Sequence, residues 1–324
     1  MISTNETGIL KPLPGGDIPV LVIFAPTACG KTSLAEKLFA LDASSPLAGK
    51  AEIISADSMQ VYKGMDIGTA KPDSEFLHKL PHHLINLYTP DLQFGVGQFV
   101  PLADKICADI VSRGKLPVVL GGTAFYIRNF VYGLPPTPTA STEIRDMVQK
   151  RMETEGAEKL WNELYAMDPE SAEKIHLNDE YRIKRAMEVC LATGKPRSSF
   201  AVSSTPRKGF SFLVLALERD RTVLYDRINV RVEEMFEEGL EEEFNSLVKK
   251  GYKEEDPGMQ AIGYREFFTE NTIEGIKELI KKDSRKYAKR QETFFRPIID
   301  CCRFHAEAYE EILEKILRFY TSFT

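Results

Sequence analysis

PVLVIFAPTACGKT, residues 19–32, joins a continuous apolar run to a turn that closes on Gly30-Lys31-Thr32. A run without polar alternation from Pro19 to Phe24 marks a strand covered on both faces, and the helix-forming residues Thr32 to Phe39 follow it. The turn fits the phosphate-binding pattern GxxxxGK[ST] except at its first position, where Ala25 stands for glycine. Such a turn aims backbone amides at a ligand from the positive end of the next helix, where phosphate oxygens bind. Ala25, Pro26, Thr27, Ala28, Cys29, Gly30, Lys31 and Thr32 are therefore the expected diphosphate-binding residues. Lys31 adds a point charge, and the Thr32 hydroxyl is the expected Mg²⁺ ligand. The plainer reading, a glycine turn that only joins strand to helix, is weakened by three motif residues in register. Ala25 requires a backbone conformation that a Cβ tolerates.

Outward from this turn, Ala51 to Ala56 (AEIISA) reads as a second strand and Leu116 to Leu120 (LPVVL) as a third, ended by Gly121-Gly122. The βαβ rhythm implies an α/β fold of P-loop NTPase-like type, a parallel sheet flanked by helices. The breaker cluster LPPTPTAS from Leu134 changes the texture, and helical periods follow at Ile144, Val148, Met152, Leu160 and Leu164. We read residues 135–206 as an all-helical insertion that closes near Ser203-Ser204-Thr205-Pro206, because Phe210 to Leu217 (FSFLVLAL) is again a buried-strand run. Residues 1–134 and 207–324 then form the catalytic core, which finishes in helices marked by Leu224, Ile228, Met235, Leu240 and Phe244 and by Ile273, Ile276 and Ile280.

Composition sets outer limits. With 324 residues, 43% hydrophobic and 28% charged, the chain has the balance of a soluble protein with a large domain and a smaller partner. A net charge of -6 argues against a protein coated in nucleic acid but not against a local basic patch. Cys29, Cys107, Cys190, Cys301 and Cys302 show neither CxxC spacing nor histidine partners at finger spacing, so reduced thiols in a cytoplasmic protein are expected. Met1 to Gly16 lacks the basic start and apolar run of a signal peptide, and no stretch reaches the roughly 18 apolar residues of a membrane span.

The segment SADSMQVYKGMDIGTAKP, residues 55–72, begins at the end of the second strand, the sheet edge where ligands of α/β folds gather. Asp57 there faces the phosphate site; taken alone, it fits a Mg²⁺-associated or N-cap aspartate better than a catalytic base. Arg182 and Arg185 lie three apart on one helix face, which reads equally as solvated surface and as RNA contact. Lys281, Lys282, Arg285, Lys286, Lys289, Arg290 and Arg296 make a denser strip opposed only by Asp283 and Glu292, the footprint that phosphate-backbone recognition leaves. Trp161 and the phenylalanines around 294 are read as core. His82-His83 has no third ligand at metal spacing and is read as structural.

Seven blocks carry a resemblance: APTACGKT, SADSMQVYKGMDIGTAKP, PHHLI (81–85), GGTAFYIRNFVYGL (121–134), NDEYRIKRAME (178–188), IGYRE (262–266) and KRQETFFR (289–296). In this order, over nearly all of the chain, they resemble the bacterial tRNA dimethylallyltransferases, also called tRNA isopentenyltransferases. The departures are Ala25 for the usual Gly, Cys29 for Ser, Asn86 where Asp commonly follows PHHLI, Met59 for a frequent Arg and Phe294 for Trp. The resemblance implies transfer of a dimethylallyl group from dimethylallyl diphosphate to the exocyclic amine of adenosine 37, beside the tRNA anticodon. It implies Asp57 as the base, with Thr27, Lys31, Arg231 and Mg²⁺ stabilising the departing diphosphate. The tRNA contacts it implies are Asp57, Ser58, Met59, Gln60, Thr123, Arg145, Tyr181, Arg182, Ile183, Lys184, Arg185, Gly263, Tyr264, Arg265, Lys289, Arg290, Gln291 and Arg296. A monomer that engages the anticodon stem-loop away from any membrane is expected. Two rivals share the P-loop: a small-molecule kinase or adenylate isopentenyltransferase acting on free nucleotide, and a non-enzymatic NTP-dependent switch or RNA-binding module. The first pair has no use for the insertion or the basic strip; the second binds NTP without forming product.

Overall fold

Seven consecutive residues, Ile18–Phe24, form the strand β1, and everything that builds the site is arranged around its C-terminal end. The computed structural model describes residues 16–138, 140–200, 203, 205–298 and 301–324. Expectations placed on residues 1–15 and on Ser204 fall outside the described residues.

Two compact units are present, one built from the chain up to Val131 and from Pro206 onward, the other from Tyr132–Thr205. After β1 the first unit runs through α1 (Lys31–Phe39), β2 (Ala51–Ser55), α2 (Ser74–Lys79), β3 (His82–His83), α3 (Val96–Ser112), β4 (Leu116–Gly121) and α4 (Ala124–Tyr132). The second unit holds α5 (Thr142–Glu155), α6 (Ala157–Met167), α7 (Pro169–Glu173) and α8 (Glu180–Thr193). The first then resumes with β5 (Phe210–Glu218), α9 (Arg221–Glu237), α10 (Leu240–Lys249), α11 (Ile273–Phe295), β6 (Cys302–His305) and α12 (Tyr309–Thr321).

The six strands lie in the order β3-β2-β4-β1-β5-β6, and every pair is parallel. The four apolar runs of the sequence are β1, β2, β4 and β5; the edge strands β3 and β6 are additions that the sequence reading did not contain. Both are short: β3 is two histidines, and the apolar-polar alternation of β6, Cys302-Arg303-Phe304-His305, spans only four residues. Burial of both faces explains the apolar runs. Leu21 and Ile23 pack with Leu34, Leu38 and Phe39 of α1, Leu224 and Ile228 of α9, and Ile312 and Ile316 of α12. Between them, Val20, Val22 and Phe24 point to the opposite face and are equally buried. There α3 covers β1, β2 and β4, and Phe24 meets Phe295 of α11 with ring centroids 4.4 Å apart.

The second unit has its own core of Val148, Met152, Leu160, Leu164, Ile183, Ala186, Met187 and Cys190. Trp161 packs against it and donates from Nε1 to the carbonyls of Ala172 and Ile175. Ile183 is fully buried in this core, so its implied role as a tRNA contact is corrected: its side chain is spent on packing.

The end of β4 fixes the floor of the site. An added Cβ on Gly121 would stand 2.2 Å from the carbonyl oxygen of Ala56, so only glycine lets the chains leaving β2 and β4 pass this closely. Gly121→Ala is expected to cost about 1–3 kcal/mol of stability through forced backbone displacement. Urea unfolding reads this directly, and a parental midpoint would refute the close approach.

Candidate active site

The helix α1 starts at Gly30, whose φ of 106° turns the chain, and no side chain caps its first amides. Ala28 at φ 59° adds a second left-handed residue, and such turns point successive N–H groups into one concavity. Ala25 keeps a negative φ and is fully buried, so alanine fits the first motif position without backbone strain. Cys29 is buried with its Sγ 3.6 Å from the Leu217 carbonyl oxygen; burial pushes the thiol up, against Lys31, Arg219 and Arg227, which pull it down. The replacement of serine by Cys29 therefore acts as packing.

Groups distant in sequence hold this loop from outside. Arg227 Nε donates to the Ala28 carbonyl at 2.8 Å, Arg219 Nε to the Cys29 carbonyl at 3.2 Å, and Arg231 Nη1 to Thr27 Oγ1 at 3.4 Å. Gln291 accepts from the Thr27 amide at 3.0 Å and donates to the Gly122 carbonyl at 2.7 Å. Gln291 is buried, and its observed bonds tie the P-loop to the end of β4 rather than presenting the side chain to RNA. Sequence reading missed Arg219 and Arg227 altogether; one Arg just after β5 and another inside α9 form no motif that would have exposed them.

Asp57 stands just beyond β2, and its Oδ1 accepts from the Met59 amide at 2.9 Å. Thr123 braces the same turn: its Oγ1 accepts from the Ser58 amide at 3.0 Å, and its own amide donates to the Ala56 carbonyl at 3.1 Å. Two cavities meet here, sharing Thr27, Asp57, Thr69, Arg231 and Tyr287 in their walls. One reaches Lys31, Thr32, Gly122 and Gln291. The other is walled by Ile228, Val232, Met235 and Ile280, with Ser58, Met59, Gly263, Arg265 and Arg290 around it.

The charge balance at the junction is uneven. Burial pulls the Lys31 ammonium below its ordinary pKa, with Asp57 opposing and Arg231 adding to the shift. Burial also lowers Arg231, again with Asp57 opposing. Glu234 and Glu238 also oppose the shift of Arg231, while Asp57 is the carboxylate that acts on both desolvated cations, and an anion bound between Lys31 and Arg231 would relieve both. Tyr287 is pushed up to about 12 by burial, with hydrogen bonds involving Thr123 and Gln291 working against the shift, and stays a neutral phenol.

The remaining sequence-nominated residues divide by environment. Gln60 is bonded internally, accepting from Ser55 Oγ and donating to the carbonyls of Thr69 and Ala70. Tyr264 is fully buried, so it is corrected from a surface contact to an internal one. Arg265 is paired with Glu266 and Asp283. In the helical unit Arg145, Tyr181 and Arg182 are exposed, Arg182 pairing with Asp179, while Lys184 donates to Gln149 and Arg185 pairs with Glu188. Lys289, Arg290 and Arg296 are exposed. The strip is less basic than its sequence suggests, because Glu233 of α9 and Glu278 take Lys281, and Asp283 takes Lys286. Phe294, expected in the core, is 53% exposed, while Phe295 takes the buried position.

His82 and His83 build β3. His83 Nε2 lies 2.8 Å from the buried Glu52, which also takes Arg113 and Lys115. Burial pushes the Glu52 carboxyl up, but these partners outweigh it and hold it at about 2. Asn86 accepts at 2.7 Å from the buried Lys71 ammonium, which also binds Asp66 and the Tyr62 carbonyl, so the departure from Asp keeps an acceptor in place. No helix among the described residues is long and apolar enough to cross a membrane.

An uncapped loop between β1 and α1, followed by Lys31 and Thr32 at the C-terminal edge of a parallel sheet, defines an α/β protein of the P-loop type. A family model described as IPP transferase matches residues 60–297, and the chain belongs to that family. It is 42% identical over 311 residues to the tRNA dimethylallyltransferase of Acetivibrio thermocellus, covering 93% of this chain and 96% of that one. The tRNA dimethylallyltransferase of Geobacter sulfurreducens is 40% identical over 287 residues, 87% of this chain and 90% of its own. Among solved structures, the tRNA isopentenylpyrophosphate transferase from Bacillus halodurans matches with 34% identity and a TM-score of 0.64, over 94% of this chain and 97% of that one. A eukaryotic dimethylallyltransferase acting on tRNA matches with 26% identity and a TM-score of 0.78, over 94% of this chain and 80% of that one.

Proposed function

We propose that the protein transfers a dimethylallyl group from dimethylallyl diphosphate to the exocyclic amine of an adenosine in tRNA, at position 37 in the anticodon stem-loop. The junction of a phosphate-type cavity with an apolar-walled one at Asp57, Thr27 and Arg231 carries this reading. Diphosphate on the P-loop leaves the allylic carbon at the junction, and an extruded base enters through the other cavity. As the amine nitrogen bonds to the allylic carbon, the carbon–oxygen bond to diphosphate breaks. The amine lone pair is delocalised into the ring, so it is a weak nucleophile, and Asp57 takes the proton it loses. Lys31, Arg231 and the loop amides receive the charge that develops on the leaving oxygen.

Mg²⁺ fits the phosphate side of the site: the Thr32 hydroxyl is a hard oxygen that would hold it, with the other positions left to phosphate and water. When bound it would neutralise diphosphate charge. Arg145, Tyr181, Arg182, Lys289, Arg290 and Arg296 are the exposed groups offered to the tRNA. We assign this activity to a monomer working in the cytoplasm.

A kinase acting on a small molecule has no use for the helical unit Tyr132–Thr205 or for the exposed cations Lys289, Arg290 and Arg296. Incubation of the protein with tRNA and labelled dimethylallyl diphosphate, followed by mass spectrometry of the nucleosides, is expected to yield N6-dimethylallyladenosine. Transfer to free AMP with no preference for tRNA would favour the adenylate isopentenyltransferase, and an absence of product would sink the reading.

A further inference from the structure

The KGMDIGTAKP loop, residues 63–72, ends on a single carboxylate. The amides of Asp66, Ile67 and Gly68 donate to Glu243 of α10 at 2.8, 3.0 and 3.2 Å. Tyr264 Oη donates to the same carboxylate at 2.5 Å and accepts from the Gly68 amide at 3.1 Å. The fit is close: a Cβ on Gly68 would stand 2.5 Å from the Tyr264 ring. Three consecutive amides turned onto one anion form a nest, here filled by the protein's own side chain.

This loop is a wall of both cavities. Gly68 and Thr69 face the apolar-walled one, and Thr69, Ala70 and Pro72 face the phosphate side. Neither Glu243 nor Tyr264 is among the residues lining either cavity. We propose that Glu243, braced by Tyr264, is a positioning residue that sets residues 66–70 as the shared wall between the two substrates. The proposal rests on the function given above. An ionised carboxylate suits the task because its oxygens only accept, whereas a glutamine would turn an N–H₂ group toward some of the same donors. Since the P-loop is held by Gln291, Arg219, Arg227 and Arg231, loss of Glu243 leaves the P-loop in place and displaces the wall opposite it.

Glu243→Ala in the full chain tests this. Its kcat is expected to fall about ten- to a hundred-fold, the cost of displacing a positioning element by a fraction of an ångström to an ångström. The KM for dimethylallyl diphosphate should stay within about two-fold, because the P-loop that holds the diphosphate keeps its own supports. Amide hydrogen exchange at Asp66, Ile67 and Gly68 should accelerate. Added formate, a small carboxylate able to refill the nest, should restore both rate and protection, whereas chloride at equal ionic strength should restore neither. A parental kcat, or a loss that formate leaves unchanged, overturns the proposal. If the alanine variant does not fold, Glu243→Gln replaces it: faster exchange at the three amides with lowered kcat supports the tether, and parental values for both overturn it. A parent protein that transfers nothing would reject the proposed function, while the exchange measurement would still decide whether Glu243 holds the loop.

Discussion

Asp57→Asn is expected to lower turnover by about two to four powers of ten, with affinity for tRNA and dimethylallyl diphosphate close to the parent's. The amide keeps an acceptor for the Met59 amide, so the turn after β2 is retained, but it cannot take a proton. Asp57 also opposes the burial that depresses Lys31 and Arg231, so the variant removes the one negative charge facing both cations. Diphosphate affinity should therefore hold or rise slightly. If Asp57 instead served mainly to hold Mg²⁺, the same variant would need more metal, and excess Mg²⁺ would recover its rate. Single-turnover rates measured across a Mg²⁺ titration separate these roles; full recovery at high Mg²⁺ rejects the base assignment.

Lys31→Ala is expected to reduce kcat/KM by about a hundred- to a thousand-fold, the usual scale for removing one charge-stabilising donor from a preorganised site. Binding and transfer should fall together, since the bound and the departing diphosphate both use this charge. The unliganded protein should respond in the opposite direction. Lys31 is held below its ordinary pKa by burial, with Arg231 beside it, so its removal relieves an unfavourable desolvated cation and should raise the melting temperature. Diphosphate should then stabilise the variant far less than the parent. Thermal melts with and without diphosphate check both directions, and parental kinetics would remove the P-loop from the mechanism.

The sheet was legible wherever a strand is covered on both faces. The runs at β1, β2, β4 and β5 are mostly apolar because helices pack on each side, the buried and ion-paired Glu52 of β2 being an interruption, and that burial is written into composition. The edges were not legible: His82–His83 belongs to the sheet through parallel pairing with Ile53 and Ile54, a tertiary event that leaves no local period. The P-loop could be read because its backbone geometry demands particular residues at fixed spacing, whereas its outer supports could not. Arg219 and Arg227 reach it from 190 and 199 residues away. The same limit explains the basic strip, where Glu233 on a different helix neutralises Lys281. Phe294 and Phe295 show the finest version of the problem, since adjacent identical side chains on α11 face solvent and core, and only the packing tells which is which.

The strand order has a consequence for how the protein comes to be made. The central strand β1 pairs with β5 in a register that sets Leu21 against Leu213, so one edge of β1 stays open until the final third of the chain exists. At synthesis rates of about 5–20 residues per second, that interval is roughly 10 to 40 s. The helical unit, whose contacts are local, can settle within it. An apolar, half-paired β1 is therefore the segment most exposed to mispairing on the ribosome, and the sheet's middle closes only after the β2–β4 side is complete, with β6 still to be added at the edge.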